Sequence, residues 1–119
     1  MTDTDLEALD DELNALLRQG RALEAFEKFY AEDVVMMEND QVFIGKDVNR
    51  TREQEFFGSI AELHDAGLGH TAVGDGVSFC EQWFEATFKD GRRLRLEEVS
   101  VRTWKGGRVI KERFYYKGM

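Results

Sequence analysis

A glutamate follows the longest uninterrupted apolar run of the sequence, Val34–Met37. A carboxyl group that is partly buried beside such a run has a raised pKa, and Glu38 could then take a proton from a carbon atom next to a carbonyl group. Glu38 could equally lie at the surface, because Asn39 and Asp40 after it are typical of a turn. The sequence leaves both interpretations of Glu38 open.

A second set of polar residues alternates along two segments near the C-terminus. Side chains of a strand alternate between its two faces, so one face of the first segment carries Glu98, Ser100 and Arg102. Glu112 would lie on the corresponding face of the next strand. The resulting carboxylate–arginine–carboxylate group is a candidate catalytic group, or it is an ordinary ladder of ion pairs between strands. A shift in the apolar pattern leaves open whether Glu97 or Glu98 points inward.

Large apolar side chains in the same segments could line a small-molecule site around these polar groups. The candidate ligand-binding residues are Met36, Phe43, Trp83, Ser100, Trp104 and Tyr116. Core packing is the competing explanation for most aromatic residues in a chain of this size. One cysteine, Cys80, and two histidines cannot form a paired-cysteine zinc site. We expect neither a metal nor an organic cofactor.

Hydrophobic periodicity predicts helices in the first half of the chain and strands in the second. Helices are predicted over residues 4–19, 22–30 and 47–66, the first beginning with a capping-box pattern at Thr4–Glu7. Strands are predicted over residues 34–37, 41–44, 68–73, 77–88, 92–104 and 108–116. The long strands change apolar phase part-way, which predicts a bulge or a strong bend in the sheet.

These elements predict a single α+β domain over residues 1–119. Three helices of the N-terminal half would pack into a highly curved mixed or antiparallel sheet and leave a cone-shaped hollow. The net charge of −8 would repel nucleic acid and anionic lipid surfaces. No apolar stretch approaches the roughly 20 residues that cross a bilayer. We therefore expect a cytoplasmic protein that binds a small apolar molecule and neither nucleic acid nor a membrane.

Three short motifs carry a resemblance that spans nearly the whole chain. Phe29–Val34, with the sequence FYAEDV, resembles the start of the first strand in the nuclear transport factor 2 superfamily. Trp104–Val109 resembles its last hairpin, and Phe114–Tyr116 resembles its closing aromatic run. With its order of helices and strands, the chain resembles the SnoaL-like and ketosteroid-isomerase-like branch, which has a cone-shaped fold. That scaffold carries isomerases, cyclases, hydrolases, dehydratases and non-enzymatic binding proteins.

The resemblance implies roles for several candidate residues. In the isomerase branch Glu38 occupies the position of the general base. The positions of that branch's two oxyanion donors fall on Leu13 or Asn14 and on Ser100, so neither donor is present. In the epoxide-hydrolase branch an aspartate–arginine–aspartate arrangement activates water, and the residues of matching type here are Glu98, Arg102 and Glu112.

The candidate residues and the resemblance leave three classes of function open. The first is a small isomerase, cyclase or hydrolase that acts without a cofactor on an apolar carbonyl-bearing or epoxide-bearing molecule. The second is a non-catalytic ligand-binding module, and the third is an interaction protein whose hollow is filled by its own side chains. The cluster of polar residues favours the first class, and the missing oxyanion donors favour the other two. The resemblance implies a homodimer in every case.

Overall fold

The computed structural model of the protein describes residues 2–117 and places helices before long strands. The helices are α1 (Asp3–Arg18), α2 (Ala22–Phe29) and α3 (Lys46–Gly58). The strands are β1 (Tyr30–Glu38), β2 (Gln41–Ile44), β3 (Ile60–Gly74), β4 (Val77–Phe88), β5 (Arg93–Lys105) and β6 (Arg108–Lys117). A capping box formed by Thr2 and Asp5 begins α1, two residues before the predicted one.

Within the described residues the strands form one six-stranded sheet in the order β2-β1-β6-β5-β4-β3. Neighbouring strands are antiparallel except β1 and β6, which run parallel, so the sheet is mixed. The pairing of β3 with β4 shifts register at three places, and bulges of this kind bend and twist a strand. The helices pack against one face of the sheet. The predicted α+β fold is therefore confirmed.

The hydrophobic core joins α1 and α2 to the inward face of the sheet. The ring of Phe26 stacks on Tyr30 with centroids 4.9 Å apart, and Phe29 packs edge-on against Trp104 at 6.0 Å. The buried core residues are Leu6, Leu13, Ala25, Phe26, Phe29, Tyr30, Val34, Met36, Trp104 and Val109. This cluster occupies part of the inward face and leaves the rest to polar residues and a cavity.

The predicted third helix is wrong beyond Gly58. The spacing of Phe56, Ile60 and Leu63 suits one buried face of a helix, which is why the sequence predicts one. In the structure Leu63 is 57% exposed, so it does not belong to such a buried face. Chain from Ile60 onward instead pairs with β4, and the Ser59 carbonyl oxygen accepts a hydrogen bond from the Lys89 backbone N–H at 2.8 Å. The strand that begins at Ile60 pairs with the backbone groups along the edge of β4, which a longer α3 would leave without a partner strand.

Of the bulge or strong bend predicted within β4 and β5, the bulge is absent from the pairing of these two strands. Their pairing is continuous from Val77 opposite Thr103 to Thr87 opposite Arg93. The apolar pattern shifts because β5 turns polar side chains inward and places Val99 on the outer face. The register shifts lie instead in β3 and at the β5–β6 turn. No helix within residues 2–117 has the length and apolar character needed to cross a membrane.

Candidate functional site

A cavity of about 1080 Å³ lies between the helices and the inward face of the sheet. Its apolar wall includes Leu17, Phe26, Phe56, Ile60, Phe84, Leu96 and Phe114. Its polar lining includes Tyr30, Glu38, Arg52, Glu53, Gln82, Glu98, Arg102, Glu112 and Tyr116. An apolar wall with a few converging polar groups is the usual composition of a small-molecule site.

Arg102 is the centre of a buried network that joins β5 to α1 and β6. Its Nε donates to Glu112 Oε2 at 3.0 Å, and its Nη1 donates to Asp10 Oδ1 at 2.9 Å and to Asn14 Oδ1 at 2.8 Å. All four side chains are almost completely buried. Burial alone would lower the pKa of the Arg102 guanidinium, but the charges of Glu112 and Asp10 raise it above its usual range. The network therefore holds a charged arginine between two carboxylates.

The second carboxylate of this network has its oxygens occupied by other donors as well. Glu112 Oε2 also accepts a hydrogen bond from Ser100 Oγ at 2.6 Å, and Oε1 accepts one from the Tyr30 hydroxyl. Burial and the adjacent Glu112 charge raise the pKa of Tyr30 well above its usual value. Three protein groups thus satisfy this carboxylate, which is the pattern of a structural ion pair.

Glu98 is the next inward-facing residue before Ser100 on β5, and it has a different hydrogen-bond partner. Gln82 Nε2 on β4 donates to Glu98 Oε1 at 2.6 Å, and the carboxylate lines the cavity. Burial, and then the charges of Glu112 and Glu38, raise the pKa of Glu98 to about 7, although the hydrogen bond from Gln82 acts in the opposite direction. A carboxyl group with this pKa exchanges protons readily near neutral pH.

Glu53 projects into the cavity from α3 and was not among the predicted residues. Burial raises the pKa of its carboxyl group to about 7, and the charge of Glu112 contributes in the same direction. Among the described residues no hydrogen-bond donor or ion-pair partner reaches Glu53. Two carboxyl groups with pKa values near neutrality therefore face the same cavity, Glu53 from the helix side and Glu98 from the sheet.

Glu38 faces the cavity at the end of β1, but Arg52 neutralises its charge. Arg52 Nη2 lies 2.9 Å from Glu38 Oε2, and Nη1 donates to Asn49 Oδ1 at 2.9 Å. The guanidinium group also stacks on the ring of Phe43, with its central carbon 3.3 Å from the ring centroid. This arrangement engages one oxygen of the carboxylate that the resemblance places as general base.

The predicted ligand-binding residues lie in several different places. Tyr116 lines the cavity next to Glu98, and its pKa is raised by burial and by the charges of Glu38 and Glu98. Ser100 lies behind the cavity wall as a donor to Glu112. Met36 and Trp104 belong to the buried core, and Phe43 lies beneath Arg52. Of these five, only Tyr116 lines the cavity.

Trp83, the sixth predicted ligand-binding residue, lies at the edge of the cavity. Strand alternation turns its side chain away from Gln82 and Phe84, which point inward. Its indole ring covers Gly67 on β3, where an added Cβ atom would lie 2.4 Å from the ring. Trp83 consequently borders both the cavity and a shallow depression on the outer face of the sheet.

Sequence reasoning grouped Glu98 with Arg102 and Glu112, but the structure forms a different carboxylate–arginine–carboxylate group. Arg102 pairs with Asp10 and Glu112, and Glu98 stands apart with Gln82. The pattern contained a signal for Asp10, because it interrupts the apolar stripe of α1 at a spacing of four residues from Leu6. Within residues 2–117 no group of three or more potential ligands is placed to hold a metal ion.

Known proteins resemble this chain in sequence and in fold. A model of the SnoaL-like domain matches residues 4–116. The chain belongs to the SnoaL-like domain family. The predicted resemblance is confirmed over nearly the whole chain, and none of the curated proteins compared with it matches.

Three solved structures show how far the likeness of this SnoaL-like domain extends. A provisionally assigned SnoaL-like polyketide cyclase from Mesorhizobium loti is 29% identical, with a TM-score of 0.87 over 98% of this chain and 100% of that one. An NTF2-like protein of unknown function from Burkholderia pseudomallei is 17% identical, with a TM-score of 0.77 over 98% and 92%. A protein with a ketosteroid isomerase-like fold from Catenulispora acidiphila, solved with trimethylamine, is 11% identical, with a TM-score of 0.67 over 80% and 75%. The last two show the fold alone.

Proposed function

We propose that this SnoaL-like domain binds a small, largely apolar molecule in its cavity and catalyses cofactor-independent proton transfer on it, with Glu98 as the acid/base group. The observation that carries the proposal is the Glu98 carboxyl group in the cavity lining, bound by Gln82 at 2.6 Å and with a pKa of about 7. A group with a pKa near the working pH is suited to accept a proton in one step and to return it in the next.

The ionised Glu98 carboxylate would take a proton from a carbon atom beside a carbonyl group of the ligand. The electron pair of the broken C–H bond moves into the carbonyl, and a hydrogen-bond donor must stabilise the oxygen that becomes negative. Glu53 in its neutral, protonated form is one such donor, because with a pKa of about 7 a large fraction of this carboxyl group is still protonated near neutral pH. Returning the proton from Glu98 to a second carbon gives an isomer. Attack of the carbanion on another carbonyl carbon of the same molecule closes a ring instead, and the alkoxide that this forms takes the proton back from Glu98.

Two observations support this class of reaction over simple storage of a ligand. The cavity wall is largely apolar, and two carboxyl groups with raised pKa values face it, Glu53 from the helix side and Glu98 from the sheet. The similar protein from Mesorhizobium loti is provisionally assigned as a SnoaL-like polyketide cyclase, with carbohydrate phosphatase given beside it, and ring closure between carbonyl groups begins with this proton transfer. The missing tyrosine and aspartate donors of the isomerase branch are compensated in this scheme by Glu53.

A second candidate function is activation of water by the Asp10–Arg102–Glu112 group for the opening of an epoxide. The arrangement of carboxylate, arginine and carboxylate favours it. Ser100, Tyr30 and Arg102 already donate to Glu112, however, and this leaves little capacity to bind and deprotonate a water molecule. Proton transfer by Glu98 therefore remains the first proposal.

The test uses a panel of small β-diketones and β-ketoesters in D₂O, with exchange of their carbon-bound protons followed by NMR. We expect Glu98→Gln to lower the exchange rate on an active compound by about 10²–10⁴-fold without abolishing its binding. The matched control is Glu97→Gln. Glu97 is the neighbour of Glu98 on β5 but lies on the opposite, exposed face, so this substitution should leave the rate unchanged. Binding without any exchange would instead indicate a non-catalytic ligand-binding module. Opening of a styrene oxide probe that survives Glu98→Gln would favour the second candidate.

A further inference from the structure

The charges in the cavity lining are unequal. Four carboxyl groups line it away from the exposed mouth, contributed by Glu38, Glu53, Glu98 and Glu112. The cations of the lining that are not fully exposed are Arg52 and Arg102, and a third, Arg18, is exposed to solvent. Arg52 is paired with Glu38, and Arg102 is paired with Glu112 and also with Asp10 behind the wall. Both arginines are therefore already neutralised by carboxylates.

Among the described residues no cation forms an ion pair with Glu53 or Glu98, because Arg52 and Arg102 are held by other carboxylates. Each has lost much of its contact with water, and an ionised carboxylate in such a place is costly unless a positive charge approaches it. The two groups also repel each other when both are ionised, because the charge of Glu98 contributes to the raised pKa of Glu53. A ligand that carries a positive charge would remove both penalties.

Aromatic rings surround the same space. Phe26, Tyr30, Phe56, Phe84, Phe114 and Tyr116 line the cavity, from both the helices and the sheet. The face of an aromatic ring attracts a cation, and the attraction is stronger where water is excluded. The same rings offer an apolar surface to the uncharged part of a ligand, so the cavity suits a molecule that has both an apolar body and a cationic end.

We propose that the preferred ligand of the cavity carries a protonated amine on an apolar body, with the ammonium group bound between Glu53 and Glu98. This inference rests on the proposed function, since it names the class of molecule that the same cavity takes. An ammonium group in this position stabilises the ionised form of Glu98, which is the form that accepts a proton. Where it also ionises Glu53, the N–H groups of the ammonium replace the protonated Glu53 as donors to the oxygen that becomes negative. The substrate class is thus an amine that also carries a carbonyl group.

Three isosteric probes test the charge preference: 2-phenylethylamine, 2-phenylethanol and 3-phenylpropionate, each titrated into the protein by calorimetry. At pH 8 and low salt we expect the amine to bind at least about tenfold more tightly than the alcohol, and the carboxylate to bind most weakly. Near pH 7 the amine should displace protons from the two glutamates. The apparent binding enthalpy should therefore change with the ionisation enthalpy of the buffer for the amine and not for the alcohol.

Variants separate a specific site from general attraction to an acidic protein. Glu53→Gln and Glu98→Gln should each reduce the preference for the amine several-fold, and Glu97→Gln, which removes the same charge from the outer face, should leave it unchanged. Equal binding of amine and alcohol would overturn the inference and leave the proposed apolar pocket standing. An amine preference that persists in the Glu53→Gln/Glu98→Gln double variant would also overturn it. If none of the probes bound, both this inference and the proposed function would fail.

Discussion

Arg102 shows at the scale of one residue why the inner part of the site is rigid. Its guanidinium group is buried between Asp10 and Glu112 and reaches Asn14 as well, so it ties α1 to two strands. A buried ion pair adds little net stability compared with apolar packing, but removing one partner leaves the others as unpaired buried charges. Arg102 is therefore expected to be far more important for stability than the arginines at the surface.

We expect Arg102→Leu to lower the free energy of unfolding by about 3–5 kcal/mol, measured by urea denaturation. Arg102→Lys keeps the charge but loses the forked geometry, and its effect should be intermediate. Arg95→Leu is the control, because Arg95 pairs with Asp65 at 3.3 Å on the exposed surface and should cost less than about 1 kcal/mol. Equal effects of Arg102→Leu and Arg95→Leu would show that the buried network does not support the fold.

The raised pKa values of Glu53 and Glu98 predict how stability depends on pH. The folded protein holds these protons up to about pH 7, whereas the unfolded chain releases them near 4.5. Unfolding therefore releases protons between these values, and the free energy of unfolding should fall as the pH rises from about 4.5 to about 7. Glu98→Gln should flatten part of this slope and be more stable than the parent by about 2 kcal/mol at pH 8, measured by denaturation at several pH values. A parent protein that gains stability over this range would contradict the assignment.

Prediction of the site from sequence succeeded where strand alternation decides the outcome. Glu98, Arg102 and Glu112 all point inward as expected, because a side chain on every second position must share a face. It failed for Asp10 and Glu53, because both lie on helices whose orientation toward the sheet is a tertiary property. The pairing of Arg102 with Asp10 joins residues that are 92 positions apart, and no local pattern specifies such a contact.

At the scale of elements, β3 explains the largest difference between the predicted and observed folds. The sequence predicted helices and long strands in the correct order, because periodicity over ten or more residues is a strong signal. It placed the boundary between α3 and β3 eight residues too late, since the spacing of Phe56, Ile60 and Leu63 fits one face of a helix. The choice depends on β4, whose edge needs a partner along its whole length.

Gly67 allows β3 to approach the Trp83 ring, and this contact predicts the effect of a methyl group. A Cβ atom at residue 67 would lie 2.4 Å from the indole ring, so Gly67→Ala must displace Trp83 or the strand. We expect a loss of about 1–3 kcal/mol in the free energy of unfolding and a shift in tryptophan fluorescence. Gly58→Ala is the control, because no atom lies within 4 Å of its added Cβ and alanine favours the helix. Loss of stability in Gly58→Ala alone would contradict this packing.

At the scale of the whole molecule, we propose that the outer face of the sheet pairs two copies of the chain. Phe79, Val99 and Tyr115 are exposed on three neighbouring strands, β4 to β6, and form an apolar surface that water contacts in one copy. We expect sedimentation to show a homodimer and Val99→Lys to convert it to a monomer. Lys89→Glu, a charge change in the exposed turn between β4 and β5, should leave the dimer intact. A parent protein that sediments as a monomer would refute the proposal.

The titration of Glu98 is the most direct test of its proposed acid/base role. Carbon-13 labelling of the glutamate side chains and NMR spectra over a range of pH would follow each carboxyl group, and the resonance missing from Glu98→Gln identifies Glu98. The account predicts that this resonance titrates with a pKa of about 7, as befits a carboxyl group that faces the cavity and exchanges protons near neutrality. A pKa near the ordinary 4.5 would mean that Glu98 is a solvated carboxylate, and it would contradict the proposed acid/base role.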